Sequence, residues 1–154
     1  MGLLNRYEKI RMDKDAIPKA ESRNRSGGKK RMNRTIRVSA AGDILIMKRL
    51  LPGYQDVLPI REFLMQGEVR MANLETTISD GSCYASAYSG GTWLTADAKC
   101  LEDTLRYGFN FLGISNNHTM DYSYEGLAST ISELKKKDVA YAGAGKNLYE
   151  ASRP

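Results

Sequence analysis

The chain has 154 residues, room for one ordinary domain, and its 42% hydrophobic and 27% charged residues fall in the range of a soluble globular protein. No apolar run approaches the roughly 18–20 residues a membrane span needs, and Leu3-Leu4 is too short for a signal-peptide core, so the sequence as written predicts a cytoplasmic chain without a transmembrane segment. The net charge of +5 is uneven: residues 1–34 hold 11 of the 23 Lys and Arg against 4 of the 18 acids, leaving 12 bases against 14 acids in the rest.

The basicity therefore belongs to a leader, and binding of nucleic acid by the folded part is not expected. Residues 1–34 read as a basic, disordered leader, rich in Lys, Arg, Asn and Ser without sustained periodicity. Met32 stands directly before the first expected strand and is an alternative start. Residues 35–154 read as the folded domain.

Ile36 to Ala40 alternates as a strand that ends at Gly42-Asp43. Asp56 to Gln66 fits a helix, with Pro59 in its first turn, Ile60, Phe63 and Leu64 on one face, and Gly67 as its stop. Glu68 to Asn73 alternates again as a second strand, with Val69 and Met71 inward. Asp80 to Gly91 is a Ser/Gly/Tyr/Ala loop, followed by a short extended piece at Thr92-Trp93-Leu94. Thr95 or Asp97 caps a helix carrying Ala98, Leu101 and Leu105, closed by Gly108. Phe109 to Ile114 reads as a third strand buried on both faces. Residues 123–137 read as a helix with Leu127, Ile131 and Leu134 in line. Val139 to Ala142 is the fourth strand.

Strands alternating with helices predict an α/β fold with a mainly parallel sheet and right-handed crossovers. Ligands of such sheets bind outside the carboxyl ends of the strands. Asp43, Asn73 with Glu75, Asn116 to His118, and Gly143 to Gly145 each follow a strand, so all four clusters fall on one edge. Asp43, Glu75 and Asn117 offer hard oxygen donors, and His118 one imidazole able to pass a proton near neutral pH. Taken singly, each also reads as a turn residue, a cap or a structural histidine. Asp121 either orients the His118 ring or caps the next helix, capping being the preferred reading. His118 is the only histidine, so a multi-imidazole metal centre is not complete within these residues. Gly143-Ala144-Gly145-Lys146-Asn147 lacks the spacing of a phosphate loop and reads as a strand-to-loop turn. Cys83 and Cys100 read as two free thiols.

Five segments in register resemble the CapA family, bacterial capsule-synthesis proteins associated with poly-γ-glutamate. They are Ala41-Gly42-Asp43, Ala72 to Thr76, Gly108-Phe109-Asn110 with Ser115 to Tyr122, Gly143 to Asn147, and Glu150-Ala151 leading to Pro154. The resemblance implies the N-terminal half of a metallophosphoesterase-like four-layer α-β-β-α sandwich. It implies Asp43, Glu75 and Asn117 as ligands of a divalent metal ion, Mn or Mg, and His118 as the proton donor of an Asn-His pair. Leu45 stands where an Asp-x-His motif would place a histidine, and the later histidine-bearing motifs do not occur. The expectation is a truncated form of the family domain.

Three functions follow as expectations. The first is a CapA-like role in capsule biosynthesis or assembly, with capsule-synthesis membrane proteins as partners and a C-terminal half or a second copy covering the open sheet edge. The second is a metal-dependent phosphoesterase-like hydrolase. The third is binding of an anionic polymer or membrane through the basic leader.

Overall fold

The structure is a computed structural model that describes residues 35–89 and 91–154; both segments belong to one unit spanning 34–154. The leader and the alternative start at Met32 lie outside the described residues. The described residues form six strands and four helices in the order β1 (Val38–Ile44), α1 (Val57–Leu64), β2 (Val69–Leu74), β3 (Thr77–Ile78), β4 (Thr95–Ala96), α2 (Ala98–Leu105), β5 (Phe111–Gly113), α3 (Ser123–Lys136), β6 (Ala140–Ala142) and α4 (Leu148–Ala151). None of the described helices is long and apolar enough to cross a membrane.

The main sheet is parallel throughout, in the order β1-β2-β5-β6, as the alternation of strands and helices predicts. A second parallel pair, β3-β4, was not anticipated; Thr77 pairs with Thr95 and Ile78 with Ala96. The extended piece expected at 92–94 thus lies slightly later, and β3 is too short to register as periodicity.

Because the main sheet's order follows the chain, crossovers of the usual right hand would carry successive helices to one face, and for α2 and α3 they do. The burial pattern agrees. Ala72, Leu74, Leu112 and Ile114 point into one core with Cys100 and Leu101 of α2 and Leu134 of α3. Leu101, Leu112 and Leu134 are fully buried, each contributing about 1.5–3 kcal/mol of apolar burial. The opposite positions are open: Val38, Ala40, Met71 and Ala140 are exposed.

Two inward assignments are therefore corrected. In β2 the core side carries Ala72 and Leu74, not Val69 and Met71. In α1 the buried residues are Val57 and Leu64, while Ile60 and Phe63 are 48% and 61% exposed. Both differences have one cause: periodicity identifies an apolar face, not whether another element covers it. β5 is likewise covered on one side only, with Leu112 fully buried and Phe111 and Gly113 half-buried.

The helix ends follow local chemistry. Asp97, not Thr95, caps α2: its carboxylate accepts the N–H groups of Lys99 (2.7 Å) and Cys100 (3.1 Å). Gly67 ends the α1 turn against β1, where an added Cβ would lie 2.5 Å from the Ser39 nitrogen. Gly108 closes α2 with φ +96°, in the left-handed region that favours glycine. The 143–147 segment is a turn, as expected, in which Asn147 caps α4 by accepting the Glu150 N–H at 3.0 Å. Trp93 is half-exposed and tethers its loop by donating from Nε1 to the Ser86 carbonyl.

Candidate functional site

Asp43 reaches the site through an irregularity in β1. Val38, Ser39 and Ala40 pair in step with Val69, Arg70 and Met71, but Asp43 pairs with Asn73. Two residues of β1, Ala41 and Gly42, therefore stand against Ala72 alone, a β-bulge. Without it Asp43 would fall opposite Leu74 and project from the other face. The strand runs on through Ile44, so Asp43 lies within β1 and not just past it.

Asn73 is the hub. Its amide nitrogen donates to Asp43 Oδ1 at 2.9 Å and to Glu75 Oε1 at 3.0 Å, drawing two carboxylates onto one NH₂ group. Its amide oxygen accepts from Asn116 Nδ2 at 3.0 Å, and the same Asn116 nitrogen donates to the Leu74 carbonyl at 2.9 Å. Asn116 Oδ1 in turn accepts the His118 backbone N–H at 2.9 Å. The Asn116 backbone N–H donates to Thr119 Oγ1, which donates to the Ile114 carbonyl. The turn after β5 is thus bonded to itself and to the end of β2. Three clusters of the carboxyl edge join in one network; Gly143 packs against Ser115, and no described hydrogen bond ties the fourth cluster to the carboxylates.

His118 is buried, and its Nδ1 lies 2.8 Å from Asp121 Oδ2. Asp121 is 1% exposed and also accepts the Leu94 backbone N–H at 2.8 Å. The residue at the start of α3 is Tyr122, which makes no side-chain cap bond. The capping reading of Asp121 gives way to the orienting one, because the carboxylate turns inward to the ring and the β4 approach. With Nδ1 committed to Asp121, Nε2 is the ring nitrogen turned away from that carboxylate.

Asn117 is exposed beside this network, and the bonds that unite the network run through its neighbour Asn116. Among the described residues no three His, Cys, Asp or Glu side chains come together as a metal-holding group. Asn73, Asn116 and Thr119 are the connecting residues that reading for donors passed over. The available signal was spacing: Asn73 and Glu75 are two apart, on one face of an extended strand end.

The arrangement is a cluster of two carboxylates, two amides and one carboxylate-oriented histidine at the carboxyl edge of a parallel α/β sheet. That architecture is consistent with a metallophosphoesterase-like α/β fold. Residues 37–154 match the family model described as bacterial capsule synthesis protein PGA_cap, and the chain belongs to that family. The capsule biosynthesis protein CapA of Bacillus anthracis is 28% identical over 128 residues, covering 78% of this chain and 31% of that protein. An uncharacterized protein of Sinorhizobium fredii, y4sH, is 29% identical over 120 residues, covering 73% of this chain and 25% of its own. The PGA biosynthesis protein CapA of Bacillus subtilis strain 168 is 38% identical over 45 residues, 29% of this chain and 12% of that protein. The matched region thus spans about a third or less of these relatives.

Proposed function

We propose that the chain serves the biosynthesis or assembly of a poly-γ-glutamate capsule, with capsule-synthesis proteins of the membrane as partners. The observation that carries this reading is the family match from residue 37 to 154, which contains the whole Asp43–Asn73–Glu75 and Asn116–His118 network. The exposed apolar positions of the sheet, Val38 and Met71 among them, support a polypeptide partner over that face, either further family sequence or a second copy. In the host strain, removing the gene is expected to lower cell-associated poly-γ-glutamate. Restoring the wild-type chain should return it, and Asn73→Leu should return less. Unchanged polymer after removal would sink the reading.

A second reading, metal-dependent hydrolysis of a phosphoester, is favoured by one specific observation: Asp43 and Glu75 are gathered within hydrogen-bonding distance of one amide nitrogen. Two carboxylates so close repel unless a cation or proton lies between them, and their oxygens suit Mg or Mn. In this reading Asp43 and Glu75 would hold one hard cation, with Asn117 as a further oxygen donor. When bound, such an ion supplies Lewis acidity toward a scissile phosphoryl group. The chain's own groups do the rest. Asn73 fixes the spacing of the two carboxylates and Asp121 holds the His118 ring; as water attacks phosphorus and the ester P–O bond breaks, Nε2 gives its proton to the leaving oxygen and regains one from that water. Calorimetric titration with Mn²⁺ is expected to give one site per chain, lost in Asp43→Asn. Absence of binding by the wild-type chain removes this reading and leaves the assembly role standing. Binding of anionic polymer or membrane through residues 1–34 is a separate proposal, tested by deleting them.

A further inference from the structure

Among the described residues, Thr76 Oγ1 is the fully buried side-chain polar atom that has no hydrogen-bond partner; Thr76 itself is 2% exposed. A buried hydroxyl left unpaired loses the hydrogen bonds it made to water without replacing them, so its position calls for an explanation. The explanation lies beside it. Thr76 lines a small cavity together with Glu75, His118, Thr119 and Thr130, with about 10 Å³ open to the centre of a water-sized sphere. That is close to the minimum for a single water molecule, which needs two or more polar partners to remain.

The partners can be counted. A hydroxyl offers one donor and two acceptor sites. Thr119 Oγ1 donates to the Ile114 carbonyl and accepts the Asn116 N–H. Thr130 Oγ1 donates to the Gly126 carbonyl and accepts the Ile78 N–H. Each threonine oxygen thus retains an acceptor site after its strong bonds are made, while Thr76 retains its donor and both acceptors. The cavity is too small for a larger ligand; Leu74, Ile114 and Leu127 complete its lining beside the hydroxyl-bearing residues.

We propose that this cavity is a binding site for one water molecule, held by Thr76 Oγ1 and by the remaining acceptor site of Thr119 or Thr130, against the inner side of the His118 site. The water adds to the Asn116 bonds that already join the end of β2 to the turn after β5, or ties that end to α3. It also gives the buried wall beside His118 a polar group that is not part of the protein.

The test uses the full 154-residue chain, its Thr76→Ser variant and its Thr76→Val variant. High-resolution crystallography is expected to show one ordered water within hydrogen-bond distance of position 76 in the wild type and in Thr76→Ser, and none in Thr76→Val. Magnetic relaxation dispersion of labelled water should count one fewer long-lived water in Thr76→Val than in the other two. A wild-type cavity without water density, or a Thr76 hydroxyl bonded to a protein acceptor in its place, overturns the proposal. So does an equal count of long-lived waters in all three chains. Should Thr76→Val fail to fold, the wild-type density and the Thr76→Ser comparison still decide it.

Discussion

Asp103 shows how one carboxylate sets a pH dependence. It is buried on α2 and accepts from Arg49 Nε at 2.6 Å, Arg49 Nη2 at 3.2 Å and the Leu50 N–H at 2.9 Å, so it pins the segment that follows β1. The Arg49 hydrogen bonds hold its carboxyl below the ordinary carboxylate range; burial opposes them, and the Leu50 N–H adds to them. A depressed folded value means the unfolded chain takes up the proton first as pH falls. The contribution of Asp103 is therefore complete above the unfolded value of about 4 and is lost as pH drops from there through the folded value. Thermal unfolding from pH 7 to pH 2.5 should show this as an acid decline that becomes shallower in Arg49→Gln. An identical slope in the two chains would remove Arg49 from the account. Such pairing was not legible in the sequence, because Arg49 and Asp103 are 54 positions apart and neither sits in a motif.

The same contrast applies to the site. Asp43, Glu75 and His118 were legible as chemistry-bearing types behind strands, and the fold gathers their neighbourhoods at one edge. Asn73 was visible as a polar residue at a strand end, but not as the link between the two carboxylates. Its role depends on the pairing of β1 with β2, and a one-residue bulge decides which β1 side chain stands opposite it. Asp121 was misjudged for a related reason. Position before a helix favours a cap, yet a ring three residues away captured the carboxylate.

Among the elements, α2 offers the cleanest local test. It has eight residues, too few to persist alone, so its first turn depends on the Asp97 cap and its buried face on Cys100 and Leu101. Asp97→Ala removes the acceptor for two backbone N–H groups and should cost about 1 kcal/mol in chemical denaturation, with Asp97→Asn largely restoring it. A change within error for the alanine variant would show that water serves the helix end equally well. The cap itself was readable from the chain, since an Asp precedes an apolar i, i+3 pattern. The inward face of α1 was not, because Ile60 and Phe63 repeat as a core stripe does and yet remain exposed.

For the whole molecule, the two cysteines report whether the fold is in place. Cys100 is 2% exposed in the core, and burial is the main cause raising its thiol above the ordinary range. Cys83 is half-buried in the irregular segment between β3 and β4. A thiol reacts as its thiolate, so the native chain should label quickly at Cys83 and at Cys100 only on unfolding. Two fast thiols under native conditions would mean that the core around Leu101 and Leu112 opens freely. The class of fold was open to sequence reading because strand and helix periods alternate regularly along it. Which sheet face lies open follows instead from strand order, and no local pattern carries that.

The order β1-β2-β5-β6 also bears on how the chain is made. Each strand joins the margin left by its predecessor, at separations of 31, 40 and 29 residues for the pairs 38 to 69, 71 to 111 and 111 to 140. Parallel pairing over such distances is slow to find, but no pair has to open to admit a later strand. As the chain leaves the ribosome, the sheet can grow outward from β1 in the order of synthesis. The Asp43–Asn73 pair can then form tens of residues before Asn116 and His118 emerge to meet it.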